Sequence, residues 1–333
     1  MHRLETWYRT GDPRIPTGAI QFQLHRLTMQ QLQQTQYDVV VATNLESWPL
    51  VKAVRRRLPN CRTILDLHNI ESELLERQLH AGGRQTVDSA SLKHLQQQEA
   101  CLSKMTDAAF VCSDHDKQQL QRRSGPDLPI HVIPNGVDCE SASFDDNGQK
   151  HLIRDILFCG TLDYEPNIAG LNWFLQEVWP NVRAGDRQLQ LVVVGRGFKE
   201  QNFPSLQRTE GVRLVGAVDS VSPFYKTSGL SICPLLSGSG TRLKILEAMS
   251  YGNPVVSTAI GCEGISARHG NDVMLCDTPA DFAAAILKLY RQPELFHALR
   301  AAARQTVEKH YDWRISGQSA ANTITEMHNR RQR

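Results

Sequence analysis

Two doubly wound α/β domains, each built on a parallel sheet, are what this sequence predicts, on three observations. Short apolar, β-branched runs such as YDVVVATN (37–44) and LQLVVVG (189–195) show no in–out alternation, as strands buried on both faces should not. These runs alternate with longer stretches suited to helices, and the alternation occurs twice along the chain. Between the two sets lies NGVDCESASFDDNGQK (135–150), polar and free of periodicity, which reads as a linker. A length of 333 residues also exceeds what one core usually fills. The expected division is a first domain at 1–134, a linker at 135–150 and a second domain at 151–315. A C-terminal helix at 316–333 would then pack back on the first domain.

In chain order, residues 1–14 are polar and mixed. From 21 to 36, Phe22, Leu24, Leu27, Met29 and Leu32 suit a Gln-rich helix. The strand at 37–44 leads to a basic helix over 48–57, which Pro59 helps to stop. TILDLHN, beginning at Thr63, is the next strand and ends on His68 and Asn69. A long polar region rich in Gln, Glu and Leu is helical to about Lys104. AAFVCS (108–113) is a strand, 114–122 a helix capped by Ser113 or Asp114, and 130–134 closes the first half. In the second half ILFCG (156–160) leads into the helix NIAGLNWFLQEVWP, and LQLVVVG into a short helix. VRLVG, LSICPLL, PVVST and DVMLC (272–276) are further strands, and a helical block runs from Pro279 to about Arg330.

Composition narrows the function. Hydrophobic content of 41% and charge of 22% are those of an ordinary soluble globular protein. A net charge of +2 argues against nucleic acid as a partner, which asks for a basic face. The short runs Arg55-Arg56-Arg57 and Arg122-Arg123 read as solvated helix faces. No apolar run is long enough to span a bilayer, and Met1 is followed by polar residues, not an apolar leader. The eight cysteines, at 61, 101, 112, 139, 159, 233, 262 and 276, form no CxxC pair. They suit buried free thiols in a reducing cytoplasm better than disulfides or a zinc site. A cytoplasmic protein is expected, with at most peripheral contact at the inner face of the plasma membrane.

The stretch richest in chemistry is SGSGTRLKILEAMSYGNPVVST (237–258). Its Gly/Ser loop follows the strand LSICPLL and opens a helix, so backbone amides and the positive helix end can approach an anion. Arg242 and Lys244, placed on the first turn, add two cations, and a diphosphate is the natural guest. Glu247 lies one turn on, with Leu243 and Leu246 available for the buried face. No Gly-Lys-Ser/Thr occurs in this loop, so it is not a Walker A motif. Gly195-Arg196-Gly197 follows a strand as in a dinucleotide fingerprint, but Glu200 stands where the third glycine is needed. Asp114-His115-Asp116 has the D-x-D form of metal-dependent sugar transferases. At a helix start, however, acidic residues serve the dipole and cap. His68 ends a strand, the edge at which open α/β sheets bind ligands.

These residues resemble the nucleotide-sugar signature of the family 4 glycosyltransferases. GSGTRLKILEAMSYGNPVVST carries the likeness, preceded by ICPLL and followed by Gly261-Cys262-Glu263-Gly264. IPNGVD (133–138) is similar to that family's domain junction, and ILFCGTLDYEPN to its first donor-domain strand and loop. VRLVGAVDSVSPFYKTSGLSICP is similar to its later strands. The likeness runs from about Asp38 to Trp313 and is more specific in the second half. It implies the GT-B fold, two facing Rossmann-like domains. It further implies retaining transfer of a hexosyl group from a nucleoside-diphosphate sugar to a glycan or lipid-linked acceptor, in bacterial polysaccharide biosynthesis. Glu247 matches the second glutamate of an E-x7-E motif that hydrogen-bonds ribose. Arg242 and Lys244 would bind the diphosphate and stabilise charge on the leaving group. Gly160, Thr161, Gly240 and Thr241 would bring backbone or hydroxyl groups near phosphate or sugar, with Leu243 in the same donor-binding stretch. His68 matches a first-domain histidine that contacts the donor across the cleft and completes a catalytic set with Arg242 and Lys244. The leaving phosphate takes the acceptor proton in such enzymes, so the resemblance implies no metal and no cofactor beyond the donor substrate.

Three departures stand out. The first glutamate of E-x7-E falls at Ser239. After the first donor-domain strand the chain has Gly160-Thr161-Leu162 with no nearby Lys or Arg, so the cations have moved to Arg242 and Lys244, as in a branch tied to bacterial polysaccharides. Only about 36 residues precede YDVVVATN, without a strand-Gly-helix unit, so the first domain is expected to lack its opening strands. Two other functions are compatible with such a chain. One is a non-catalytic nucleotide-sugar-binding protein. The other is a UDP-sugar 2-epimerase, which needs carboxylates and a histidine for proton transfer that this sequence does not display.

Overall fold

Strands that are apolar on both faces must be covered on both, and the chain supplies that cover with the helices between them. The structure, a computed structural model, describes residues 26–27, 30–32, 34–80, 89–144, 150–238 and 240–329. The first sheet consists of β1 (Val39–Thr43), β2 (Arg62–Leu67), β3 (Ala108–Val111) and β4 (Ile130–Val132), parallel and in that order. Its helices are α1 (Trp48–Arg57), α2 (Glu71–His80), α3 (Ser89–Ala100), α4 (Leu102–Met105) and α5 (Asp114–Ser124). Among the described residues, the polar stretch expected to be helical to Lys104 is helical at Glu71–His80, Ser89–Ala100 and Leu102–Met105. Half of the helix expected at 21–36 lies outside the described residues; within it, 26–27, 30–32 and 34 are helical.

The second sheet has six parallel strands in the order β10-β9-β8-β5-β6-β7. They are β5 (Asp155–Cys159), β6 (Gln190–Val194), β7 (Val212–Gly216), β8 (Leu230–Cys233), β9 (Val255–Ser257) and β10 (Met274–Leu275). Between them run α6 (Glu165–Trp173), α7 (Trp179–Gly185), α8 (Ser222–Thr227) and α9 (Leu243–Ser250), and α10 (Pro279–Arg291), α11 (Pro293–His310) and α12 (Trp313–Asn329) follow. A π-helical turn, Phe174–Val178, joins α6 to α7 just before Pro180, which has no N–H to continue a regular ladder. Strand order reverses beside β5, so the edge beyond Cys159, Val194 and Cys233 is where a ligand crevice belongs.

One core packs Phe158, Phe174, Trp179 and Leu191 against Phe282 and Phe296 of the C-terminal helices. A second, on the opposite face, sets Val192, Val194 and Cys233 against Ile245, Leu246 and Met249 of α9. In the first domain Leu65, Leu67 and Val111 pack with Val51, Leu102 and Leu120. Its other face holds Ile64, Ala108 and Phe110, and Ala320, Ile324 and Met327 of α12 lie against them. Residues of the 135–150 stretch are also packed on the C-terminal helices. Val137 exchanges backbone bonds with Tyr311 and Trp313, and Arg304 donates to the carbonyl oxygens of Cys139, at 2.7 Å, and of Ala142.

The expectation of a strand buried on both faces needs correction at β1. It pairs only with β2 among the described residues, and Val41 is 45% exposed, so it is a half-covered edge strand. All eight cysteines are free and six are buried. Among the described residues no helix is long and apolar enough to cross a membrane.

Gly195 shows how tightly the crevice edge is built. A Cβ there would lie 1.8 Å from the Gly160 carbonyl oxygen, so the loops after β5 and β6 can touch only because the side chain is absent. The expected cost of Gly195→Ala is about 3 kcal/mol, the upper part of the overpacking range. Gly317→Ala, in α12 where an added Cβ meets nothing within 4 Å, should instead stabilise by ~0.5–1 kcal/mol. Urea denaturation of the two variants checks both signs.

Candidate functional site

The strand β8 ends in Pro234-Leu235-Leu236, and the chain turns through Gly238 and Gly240 before α9 begins. Gly238 (φ 114°) and Gly240 (φ 78°) occupy the left-handed region, which residues with a side chain adopt only at a cost. Ser239, where the resemblance expects a glutamate, lies outside the described residues. Arg242 is the N-cap residue and not on the first turn as expected, because α9 starts at Leu243. Its side chain is buried, and its Nη2 would lie 2.9 Å from a Cβ placed on Gly238. Leu246 is fully buried, whereas Leu243, expected on the same face, is 43% exposed at the rim of the crevice. Thr241 Oγ1 is buried without a hydrogen-bond partner among the described residues.

Lys244 turns inward instead of reaching into solvent. Its Nζ donates to Asn167 Oδ1 at 2.7 Å and stands 4.8 Å from the centre of the Phe158 ring. It would also be 2.7 Å from a Cβ on Gly160, so only glycine leaves room for the ammonium there. Asn167 Nδ2 in turn donates to the Thr161 carbonyl at 2.8 Å. Burial holds the Lys244 ammonium below its ordinary pKa, partly offset by the thiols of Cys233 and Cys159. One turn on, Glu247 Oε2 accepts from the Tyr225 hydroxyl at 3.0 Å, and Tyr225 stacks on Tyr251 at 5.5 Å and 3°. Burial raises the Glu247 carboxyl above its usual range, against the Tyr225 bond and the Lys244 charge.

The first domain faces this loop from across the crevice. A Cβ on Gly240 would come within 2.4 Å of Asn69 Oδ1 and 3.7 Å of the His68 carbonyl oxygen. The His68 imidazole itself is 44% exposed and contacts its own domain, with Nε2 3.8 Å from Asp66 and Nδ1 4.0 Å from Cys112 Sγ. His68 therefore reaches the crevice, with its backbone as the part nearest the glycine loop. The other motifs take structural roles. Ser113 Oγ accepts from the Asp116 N–H at 3.1 Å and donates to its carboxylate at 2.6 Å, a cap on α5. Gly197 sits against Asp163 and Gly195 against Gly160, so this glycine pair serves loop packing. Among the described residues no group of three or more His, Cys, Asp or Glu is arranged to hold a metal ion.

Gly160, Thr161, Arg242, Lys244 and Glu247 thus meet at one edge of the second sheet, with Gly240 in the loop that the first domain covers. Asn167 and Tyr225 were missed by the sequence reading. The one signal for Asn167 was a polar residue in a largely apolar helical run, which names no partner without the fold, and Tyr225, in the mixed segment SPFYKT, gave no such signal. The site can hold an anion with Lys244 and Arg242 and bind a hydroxyl pair with Glu247.

Comparison with known proteins bears on the family and the fold. Residues 2–141 match the family described as Glycosyltransferase Family 4, and 153–292 match Glycosyl transferases group 1, which together take in most of the chain. A Klebsiella pneumoniae protein, "Uncharacterized 44.6 kDa protein in cps region", is 27% identical over 165 residues, covering 47% of this chain and 42% of that protein. The Mycobacterium leprae phosphatidyl-myo-inositol mannosyltransferase is 29% identical over 190 residues, covering 55% and 50%. The chain therefore spans about half the length of these relatives. Among solved structures, sucrose-phosphate synthase from Thermosynechococcus elongatus superposes with a TM-score of 0.73 at 17% identity, covering 95% of this chain and 80% of that one. Anabaena HepE in complex with UDP and glucose gives 0.69 at 14%, covering 95% and 84%. Both show the fold: two facing parallel-sheet domains of the GT-B type.

The buried ammonium makes anion binding proton-linked. An anion beside Lys244 raises its lowered pKa, so binding takes up protons increasingly as pH climbs toward the ordinary lysine value of 10.5. Calorimetry with inorganic pyrophosphate in two buffers of different ionisation enthalpy should show this uptake, beyond that of a Lys244→Met control. Asn167→Ala should weaken pyrophosphate binding about tenfold, the worth of a hydrogen bond to a charged group.

Proposed function

Because the chain belongs to the family 4 glycosyltransferases of the GT-B fold, we propose that it transfers a sugar, with retention, from a nucleoside-diphosphate sugar to a glycan or lipid-linked acceptor. The observation that carries this reading is the Lys244 ammonium, held by Asn167 and Phe158 beneath the glycine loop that opens α9. A cation kept partly out of water acts on charge more strongly than one in solvent and needs no reorganisation when charge develops.

In this reading the diphosphate lies against Gly240, Thr241, Arg242 and Lys244, with backbone at Gly160 and Thr161 close by. Glu247, oriented by Tyr225, accepts from the ribose hydroxyls. The bond from the anomeric carbon to the β-phosphate oxygen breaks, and its electron pair stays on the phosphate. Arg242 and Lys244 meet that charge. The acceptor hydroxyl attacks on the same face, and its proton passes to the departing phosphate oxygen. No side-chain base is called for, and His68 serves to place the donor from the first domain. We assign Asp114 and Asp116 no part in metal binding, since Asp116 is engaged in the α5 cap. A role in bacterial polysaccharide assembly fits the name of the Klebsiella relative. Cytoplasmic placement, with the acceptor met at the inner membrane face, fits the reduced cysteines.

The test is purified protein screened against UDP-, GDP- and ADP-sugars for binding and product. One donor should bind, and with a glycan or lipid-linked acceptor it should yield free nucleoside diphosphate and a glycoside with the donor's anomeric configuration. Lys244→Ala should lower kcat roughly 10²–10³-fold, as removal of one preorganised charge-stabilising group does. Glu247→Ala should raise the donor Kd about tenfold with the fold intact. Binding with no turnover would instead mark a non-catalytic sugar-nucleotide protein, an epimeric sugar nucleotide would mark an epimerase, and unchanged turnover in both variants would refute the assignment.

A further inference from the structure

On α2, across the crevice from the anion site, Arg77 makes a set of contacts that the transfer chemistry does not use. Its Nη1 donates to the Gly238 carbonyl at 3.0 Å, on the second domain. The same guanidinium forks onto the Glu263 carboxylate, with Nη2 to Oε1 at 2.9 Å and Nη1 to Oε2 as the second arm. Nη2 also donates to Glu73 Oε1 at 2.6 Å, one turn back on the same helix. Glu73 accepts in addition from His115 Nε2 at 2.9 Å, which lies 3.8 Å from Glu263. One guanidinium therefore ties two carboxylates and a backbone carbonyl together, in a small cleft pocket that Gly240 and Gly264 also line.

The helix that carries Arg77 is itself fixed. Glu99 is buried and accepts from the Ser72 N–H at 3.1 Å and its hydroxyl at 2.5 Å, and Arg123 pairs with the same carboxylate at 3.1 Å. On the other side, Gly238 is the residue whose Cα faces the Arg242 guanidinium, and its φ of 114° leaves its carbonyl direction open to choice. Burial alone would raise the Glu263 carboxyl, but the Arg77 hydrogen bond, with the charges of Arg77 and His115, outweighs it and holds the group ionised. Two arginines from opposite domains thus bracket one glycine. Arg242 lies at its Cα, and Arg77 at its carbonyl.

We propose that Arg77 is a positioning residue of the donor site: by holding the Gly238 carbonyl and Glu263 from the opposite domain, it sets the loop that carries Gly240, Thr241 and Arg242. The cradle for the diphosphate is then complete only while the first domain is closed on the second. A donor that needs this loop shape favours the closed arrangement by the same coupling, since linkage is reciprocal. The inference rests on the reading that this loop receives a diphosphate.

The experiment is titration of wild type, Arg77→Met and Arg77→Lys with inorganic pyrophosphate and with UDP, GDP and ADP, together with amide hydrogen exchange. Wild type should bind pyrophosphate and one nucleotide. Arg77→Met should weaken both about tenfold and speed exchange at 236–244, while exchange in the first-domain strands is unchanged. Arg77→Lys, which keeps the charge but loses the fork, should fall between and stands alone if the methionine variant does not fold. Wild-type affinity and exchange in these variants would overturn the inference and leave the donor reading intact, reducing Arg77 to an interdomain brace. A wild type that binds none of the probes would overturn both.

Discussion

A lysine ammonium taken partly out of water, with an amide oxygen and a phenyl face for neighbours, is the constraint on which the site depends. Left alone in such a place, an ammonium tends to lose its proton. Asn167, the Phe158 ring and the nearby thiols only partly offset that tendency. An anion beside Lys244 would offset it more fully, which is the physical basis of the proposed site. The surrounding architecture keeps Lys244 in that position. Gly160 leaves room for Nζ, Gly195 lets the two loops meet behind it, and the buried face of α9 fixes the helix that bears it.

The second consequence of this layout is that the anion site is not the property of one domain. Lys244, Asn167, Tyr225 and Glu247 lie on one sheet and its helices, and their contacts are local to that unit. The glycine loop above them is different. Its backbone sits under Asn69 and His68 and is held at Gly238 by Arg77. Glycines with left-handed φ values have no strong conformational preference of their own, so contacts from elsewhere choose the shape. A rigid floor and a loop shaped from across the crevice are a physical division of labour: the floor supplies charge, and the loop makes that charge dependent on closure.

Several features of this site were legible without coordinates. Glycines, two cations and a glutamate at helical spacing after an apolar run pointed to a strand, a loop and a helix start, which are local consequences of composition, and the proposal of an anion site is built on them. Arg242 proved to be one residue ahead of the helix, and Leu243 faces outward, since periodicity locates a helical face better than the residue at which the helix begins. The strand at 37–44 was read as buried because its residues are uniformly apolar. Among the described residues it is an edge, and an edge is defined by what lies beside it in space. Asp114-His115-Asp116 and Gly195-Arg196-Gly197 were read as a helix start and a loop, and the contacts they make in the structure are of those kinds. Their actual partners, Ser113 and Gly160, follow from helix-capping rules in the first case and from tertiary packing in the second.

What the sequence determined by itself is most of the strands and helices, their parallel pairing into two sheets and the chemical character of one loop. Each of these rests on interactions among residues close in the chain, or on apolar runs that must be covered. Only the tertiary structure decided which groups complete that loop. Asn167 meets Lys244 from 77 positions away, Tyr225 meets Glu247 from 22, and Arg77 meets Glu263 from 186. Nothing in the composition of either partner announces such a pairing. It arises because the sheets bring their carboxyl edges together, and because a charge at that edge must find a partner when water is excluded.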